Sequence, residues 1–220
     1  GDHRDLHRVV RRQSQMCIRD RYPGDPEPSV TVATTLENEG YNLSTLVMGT
    51  QTGTHVDAPY HFSNSGETID NMELDFFLGE AVVVRVTDKK ADEAITLEDI
   101  EPYKEEICEG KIVLFNTNWY KTRGTDEFFH HPYVNGDVAK YLVDNGVRFI
   151  GIDTINADQT GGTEFPVHDL FSEKRLMIGE NWAFFDQIDF ERPYVIALPM
   201  KLIGCDGSPV RAIAVQWEEE

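Results

Sequence analysis

Cysteine is scarce. Cys17, Cys108 and Cys205 are the only three in 220 residues, and their spacing fits neither a disulfide framework nor a thiolate zinc site. The two later ones are expected as inert packing residues, and a reducing cytoplasm is the expected compartment. Long apolar runs are missing too. The longest, such as AVVVRV (81–86) and KIVLF (111–115), have the length of strands and fall far short of the roughly 20 residues that cross a bilayer. Positive charge is outnumbered, with Lys+Arg at 20 against Asp+Glu at 39 and a net charge of -19. That excludes a nucleic-acid partner held through phosphates, which requires a basic patch. There is no G-x-S-x-G elbow and no base beside a cysteine, which excludes the common serine and cysteine hydrolases. Repeats, low-complexity tracts and linkers are absent after residue 22, so one domain is expected.

The charge is uneven. Residues 1–21 hold six arginines against three aspartates, with neither helical nor strand periodicity and no signal-peptide apolar core. The string QMCIRDR (15–21) resembles translated adapter sequence. Residues 1–21 are therefore expected to be a non-native or disordered segment, and 22–217 the folded domain.

From residue 22 the pattern is α/β. YPGDPEP reads as a turn. SVTVATTL and YNLSTLVM alternate like strands, and EAVVVRVTD (80–88) and GKIVLFNTNW (110–119) read as buried strands. TLEDIEPYKEEI (96–107) predicts a short helix capped by Thr96 with Asp99 three residues on. In NGDVAKYLVDNG the residues Val138, Tyr141 and Leu142 share a helical face, and Gly146 ends the helix. VRFIGIDT (147–154), YVIALP (194–199) and RAIAV (211–215) read as strands, and DGSP (206–209) as a turn. Strands outnumber helices without strict alternation, which predicts a single compact α/β domain around a mixed β-sheet with flanking helices.

Chemistry concentrates in MGTQTGTHVDAPYHF (48–62). His55 and Asp57, two apart in an extended segment, project from one face. Pro59 turns the chain out of the ladder so that His61 can return to the same space, and Gly53 permits close backbone approach. Two imidazoles and a carboxylate suit zinc, manganese or a related divalent ion. A His-x-Asp pair alone is common as a packed, hydrogen-bonded pair, so further donors are needed. His168 follows the strand FIGIDT and a glycine-rich loop, where α/β sheets place functional residues. Glu180 lies between LMIG and WAFF, where a carboxylate is paired or is a ligand. His130 and His131 read as loop residues. Trp182, Phe184 and Phe185 are candidates for an apolar substrate wall, with core packing as the alternative.

GTHVDAPYHF (53–62) closely resembles the signature of the metal-dependent cyclase family, also called the kynurenine formamidase or arylformamidase family, which reads His-x-Gly-Thr-His-x-Asp-x-Pro-x-His. YPGDPEP, GIDT, FPVHDLF, IGENWAFFDQI and ALPMKLIGCDGSPVRAIAV resemble further segments of it, in the same order. The resemblance implies a hydrolase that cleaves a carbon–nitrogen bond of a small cyclic or formylated amide by metal-activated water, with isatin hydrolase-like relatives. It implies a swivelling β/β/α fold and a homodimer or homotetramer. His55 and Asp57 would be metal ligands, with Asp57 able to bridge two ions. His168 and Glu180 would complete the site, His61 would donate and accept protons, and Tyr22 would lie beside the substrate. Gln51 stands where the family has its first motif histidine. As a weaker, carbonyl-donating ligand it points to a single strong metal site and a substrate other than N-formylkynurenine. Two rival readings stand beside this one: a cyclic-ester (lactone) hydrolase with the same metal, and a non-catalytic metal or small-ligand binding protein.

Overall fold

The computed structural model describes residues 6–10 and 21–217. Among these described residues there are thirteen strands: β1 Leu6–Val10, β2 Ser29–Thr34, β3 Leu43–Val47, β4 His55–Asp57, β5 Leu78–Arg85, β6 Ala94–Ile95, β7 Ile112–Asn116, β8 Tyr133–Val134, β9 Phe149–Ile152, β10 Met177–Glu180, β11 Tyr194–Ile196, β12 Gly207–Pro209 and β13 Ile213–Trp217. The α-helices are α1 Leu36–Glu39, α2 Leu97–Ile100, α3 Gly136–Asp144 and α4 Pro166–Glu173. Nine strands form one sheet in the order β1-β13-β11-β5-β7-β9-β10-β4-β12. β5, β7, β9 and β10 run parallel at its centre, and antiparallel strands extend it on both sides. β2–β3 and β6–β8 pair separately.

The central strands read as unbroken apolar runs because both of their faces are covered. Along β7, Ile112 and Leu114 join one core with Phe149, Met177 and Trp182. Val113 and Phe115 join the other, with Val138, Leu142, Val167 and Phe171 of α3 and α4. This is strand period two serving two cores. The single α/β domain around a mixed sheet with flanking helices is thus the architecture of this chain.

Several local expectations change. The helix expected over 96–107 is α-helical only to Ile100, although Thr96 and Asp99 do form the reciprocal capping pair; Pro102 cannot continue it, and a 3₁₀ turn follows. DGSP, expected as a turn, supplies β12 at the sheet edge, where a proline costs no ladder hydrogen bond. Residues 6–10, within the segment expected to lack strand character, pair with β13. The rest of that segment, residues 1–5 and 11–20, lies outside the described residues. Cys108 is exposed rather than packed.

Candidate metal centre

β4 sits between β10 and β12, and the register sets the site. His55 lies opposite Glu180 on one side and Pro209 on the other, and Asp57 lies opposite Ile178 and Gly207. Period two then brings His55, Asp57 and the end of β10 to one place. His168 arrives from the first turn of α4. That helix starts with Pro166 and has no capping side chain of its own at Phe165. The Asp158 carboxylate does the work instead, accepting from Val167 N (3.0 Å), His168 N (3.1 Å) and His168 Nδ1 (2.7 Å). One side chain therefore both caps the helix and aims the imidazole.

Four buried groups meet. His55 Nε2 is 3.4 Å from Asp57 Oδ1 and 3.6 Å from Glu180 Oε2. His168 Nε2 is 3.7 Å from Asp57 Oδ2 and 3.2 Å from Glu180 Oε1. Donors placed about 2.0–2.1 Å from a tetrahedral centre stand about 3.3–3.4 Å apart, so these spacings are those of ligands to one small cation. Two further observations agree. Neither oxygen of Asp57 accepts a hydrogen bond although both are buried, which is costly without a cation. His55 Nδ1–H donates to Gly53 O at 2.7 Å and His168 Nδ1–H to Asp158, which leaves both Nε2 atoms free for coordination. Two overlapping triads share Asp57: His55 with Glu180, and His61 with His168. The residues present fit a divalent metal ion.

The electrostatics point the same way. Burial pushes His55 down, but the Asp57 carboxylate and then Glu180 override it and bring its pKa up to about 10. His168 is likewise held well above its ordinary value, against burial, by Glu180 and Asp158. Burial raises Asp57 and Glu180, yet the facing imidazoles bring both below their ordinary values. Two carboxylates packed this closely require about two units of positive charge, from two imidazolium protons or from one divalent ion.

Beside the cluster lies a cavity of about 220 Å³ lined by Tyr22, Asp25, Gln51, His61, Phe62, Ile155, Asn156 and Phe165 as well as His55, His168 and Glu180. His61 follows the turn at Pro59, and its Nδ1–H donates to Asp206 Oδ2 at 3.1 Å. Asp206 also accepts from Thr50 Oγ1 (2.7 Å) and Gln51 Nε2 (3.0 Å). The His61 bond lowers Asp206 below its ordinary range; burial lowers His61, but Asp206 and then Asp57 raise it overall. Gly207 makes room for this network, because a Cβ there would lie 2.6 Å from Gln51 Nε2 and from Val56 O.

The structure thus brings His55, Asp57, His61, His168 and Glu180 together. Gln51 reaches the cavity with its nitrogen tied to Asp206 and its Oε1 buried without a partner. Tyr22 lines the cavity and accepts from Gly161 N at 3.3 Å. Trp182 is placed elsewhere: it is 2 % exposed, packs edge-on against Phe149, and donates from Nε1 to His55 O at 2.9 Å. It supports the His55 backbone from the core, and Phe185 is core as well. The aromatic wall is instead Phe62 and Phe165, 5.3 Å apart, with Phe62 tilted over His168 at 4.4 Å. His131 is buried and bonded to Thr160, and His130 is exposed beside Asp92. The sequence reading missed Asp158 and Asp206. Each lies next to turn-forming residues, where a carboxylate ordinarily needs no special explanation.

Comparison with known proteins fits this arrangement. The family described as "Putative cyclase" matches residues 6–159. A kynurenine formamidase of Bacillus cereus is 32 % identical over 196 residues, covering 87 % of this chain and 89 % of that one. Isatin hydrolase A from Labrenzia aggregata, solved with benzyl benzoate, superposes with a TM-score of 0.86 at 23 % identity, over 96 % of this chain and 94 % of that one. A structure described as a potential metal-dependent hydrolase with cyclase activity gives a TM-score of 0.78 at 27 % identity, over 96 % and 99 %. Ligand-like geometry around Asp57, the motif that carries it and a match over most of the chain lead to one conclusion: this chain belongs to the cyclase family.

Proposed function

We propose that this chain is a metal-dependent amidohydrolase that cleaves the carbon–nitrogen bond of a small formylated or cyclic amide. The observation that carries the reading is the meeting of His55 and Asp57, His168 and Glu180, from three distant chain segments, at cation-ligand spacing. The relatives named above hydrolyse amides of this kind by name.

The four residues would hold a zinc or manganese ion, whose chemistry is to bring the pKa of water towards 7 and to polarise a carbonyl. The chain's own residues do the rest. His61, with its Nδ1 proton engaged by Asp206, has Nε2 as its proton-accepting atom. It takes a proton from the attacking water and gives it to the departing nitrogen, so the carbon–nitrogen bond breaks to a carboxylate and an amine. Asp206 fixes the tautomer and orientation of that imidazole. Phe62, Phe165 and Ile155 offer an apolar wall for a flat ring. With Gln51 in place of the motif histidine, we read one strong metal site and a substrate other than N-formylkynurenine. Cys108 and Cys205 are free thiols, in keeping with a cytoplasmic setting. Among the described residues no helix is long and apolar enough to cross a membrane.

The test is elemental analysis of protein purified without added metal, together with a panel of formamides, cyclic amides and lactones. Bound zinc or manganese with amide turnover that is lost to a chelator and restored by metal supports the proposal. Turnover confined to lactones makes the protein a cyclic-ester hydrolase. Bound metal without turnover makes it a binding protein.

A further inference from the structure

Two of the cavity residues come from one turn. Tyr22, Pro23, Gly24 and Asp25 close on themselves, with the Asp25 N–H donating to Tyr22 O at 3.1 Å. Pro23 fixes the first central position, and Gly24, at φ +102, takes the left-handed second one. That is the pairing a type II turn calls for. The Tyr22 hydroxyl, accepting from Gly161 N at 3.3 Å, ties the turn to the loop after β9. The half-buried Asp25 carboxylate is therefore held in the cavity wall by a rigid support.

That carboxylate has no hydrogen-bond donor and no ion-pair partner among the described residues. The other acidic groups of the site are matched. Asp57 and Glu180 face the imidazoles of His55 and His168, and Asp206 accepts from His61. Burial raises the Asp25 pKa above the ordinary carboxylate value, and His55, then His61 and Arg21, pull against that. Arg21 is itself bonded to Glu27 at 3.1 Å. Among the described residues no lysine or arginine lines the cavity. An anionic ligand group would find no fixed cationic side chain there, whereas an ammonium group would find Asp25. The rings of Phe62 and Phe165 add the attraction of aromatic faces for a cation.

We propose that Asp25 is a specificity-determining residue of this cavity and takes a protonated amine carried on the substrate's ring. The proposal rests on the amidohydrolase reading for the cavity's role and narrows its substrate class to a small aromatic amide bearing a basic amine. The carboxylate released by hydrolysis is repelled by Asp25, which favours its departure.

The test compares benzylammonium with benzyl alcohol, of the same size and uncharged, by calorimetry on metal-loaded protein. We expect benzylammonium to bind about 10-fold more tightly, and Asp25→Asn to erase the preference. The variant should keep its metal by elemental analysis, because Asp25 is not one of the four groups at cation-ligand spacing. With formanilides bearing an aminomethyl or a hydroxymethyl substituent, Asp25→Asn should raise KM for the first about 10-fold more than for the second. Equal binding of the two probes by wild type overturns the proposal, as does a preference that survives in Asp25→Asn. Loss of metal in the variant also overturns it and makes Asp25 a ligand. A protein that turns over neither formanilide yet shows the Asp25-dependent preference supports the role of Asp25 and removes the amidohydrolase reading instead.

Discussion

Asp206 and His61 touch at 3.1 Å, and the two side chains have separable duties. His61→Ala removes the proposed proton carrier and should lower kcat by about 10²–10⁴-fold, with metal content nearly unchanged. An equal loss of metal would show that His61 is a ligand. Asp206→Asn leaves the imidazole in place but releases it. It should cost about 10²-fold in kcat with little change in KM, and ¹⁵N NMR of His61 should show loss of the single Nδ1–H tautomer even without metal. Gln51→His restores the family's motif histidine. Metal per chain measured by elemental analysis should rise from one ion to two, and a value unchanged at one would remove Gln51 from the ligand question. His55, Asp57, His61, His168 and Glu180, which the structure brings together, were legible as candidates because imidazoles and a lone carboxylate in apolar surroundings demand explanation. Asp158 and Asp206 carried no such signal, since their importance comes from what the fold delivers to them over 10 and 145 residues.

At the scale of elements, the central strands and α3 were legible because burial on two faces, or on one helical face, leaves a periodic trace. β10 and β12 were not. MIGE and GSP are too short for a period to appear, and they become strands through pairing, β10 with β9 and β4, β12 with β4. β10 is also tightly constrained. A Cβ at Gly179 would lie 2.7 Å from the Trp182 ring, and Glu180 follows immediately. Gly179→Ala should therefore destabilise the fold by about 1–3 kcal/mol through overpacking. It should also weaken metal binding, because the carboxylate moves with the strand. Urea unfolding and a metal titration of the same variant check both outcomes.

For the whole molecule, stability should carry a mark of one buried carboxyl that is not part of the cluster. Burial raises Asp153 from 3.8 to about 6, against four donors from Asn116, Thr117 and Asn118. Below about pH 4 the folded and unfolded chains both keep this proton. Between pH 4 and 6 only the folded chain does, so the contribution is fully present at the acid end and falls by about 3 kcal/mol as pH rises through 6. Asp153→Asn abolishes that component. The stability of wild type minus variant, from urea midpoints, should be greatest near pH 4 and level off above 6. A difference that is flat with pH would contradict this account.

The placement of β4 has a consequence during synthesis. Among the described residues its ladder partners are β10 and β12, which leave the ribosome more than a hundred residues later. At about 5–20 residues per second, His55 and Asp57 wait several seconds or longer without their neighbours. A nascent or prematurely terminated chain that stops short of His168 holds only two of the four groups that meet at the site. Cation capture is therefore tied to completion of translation, and a truncated product should emerge metal-poor.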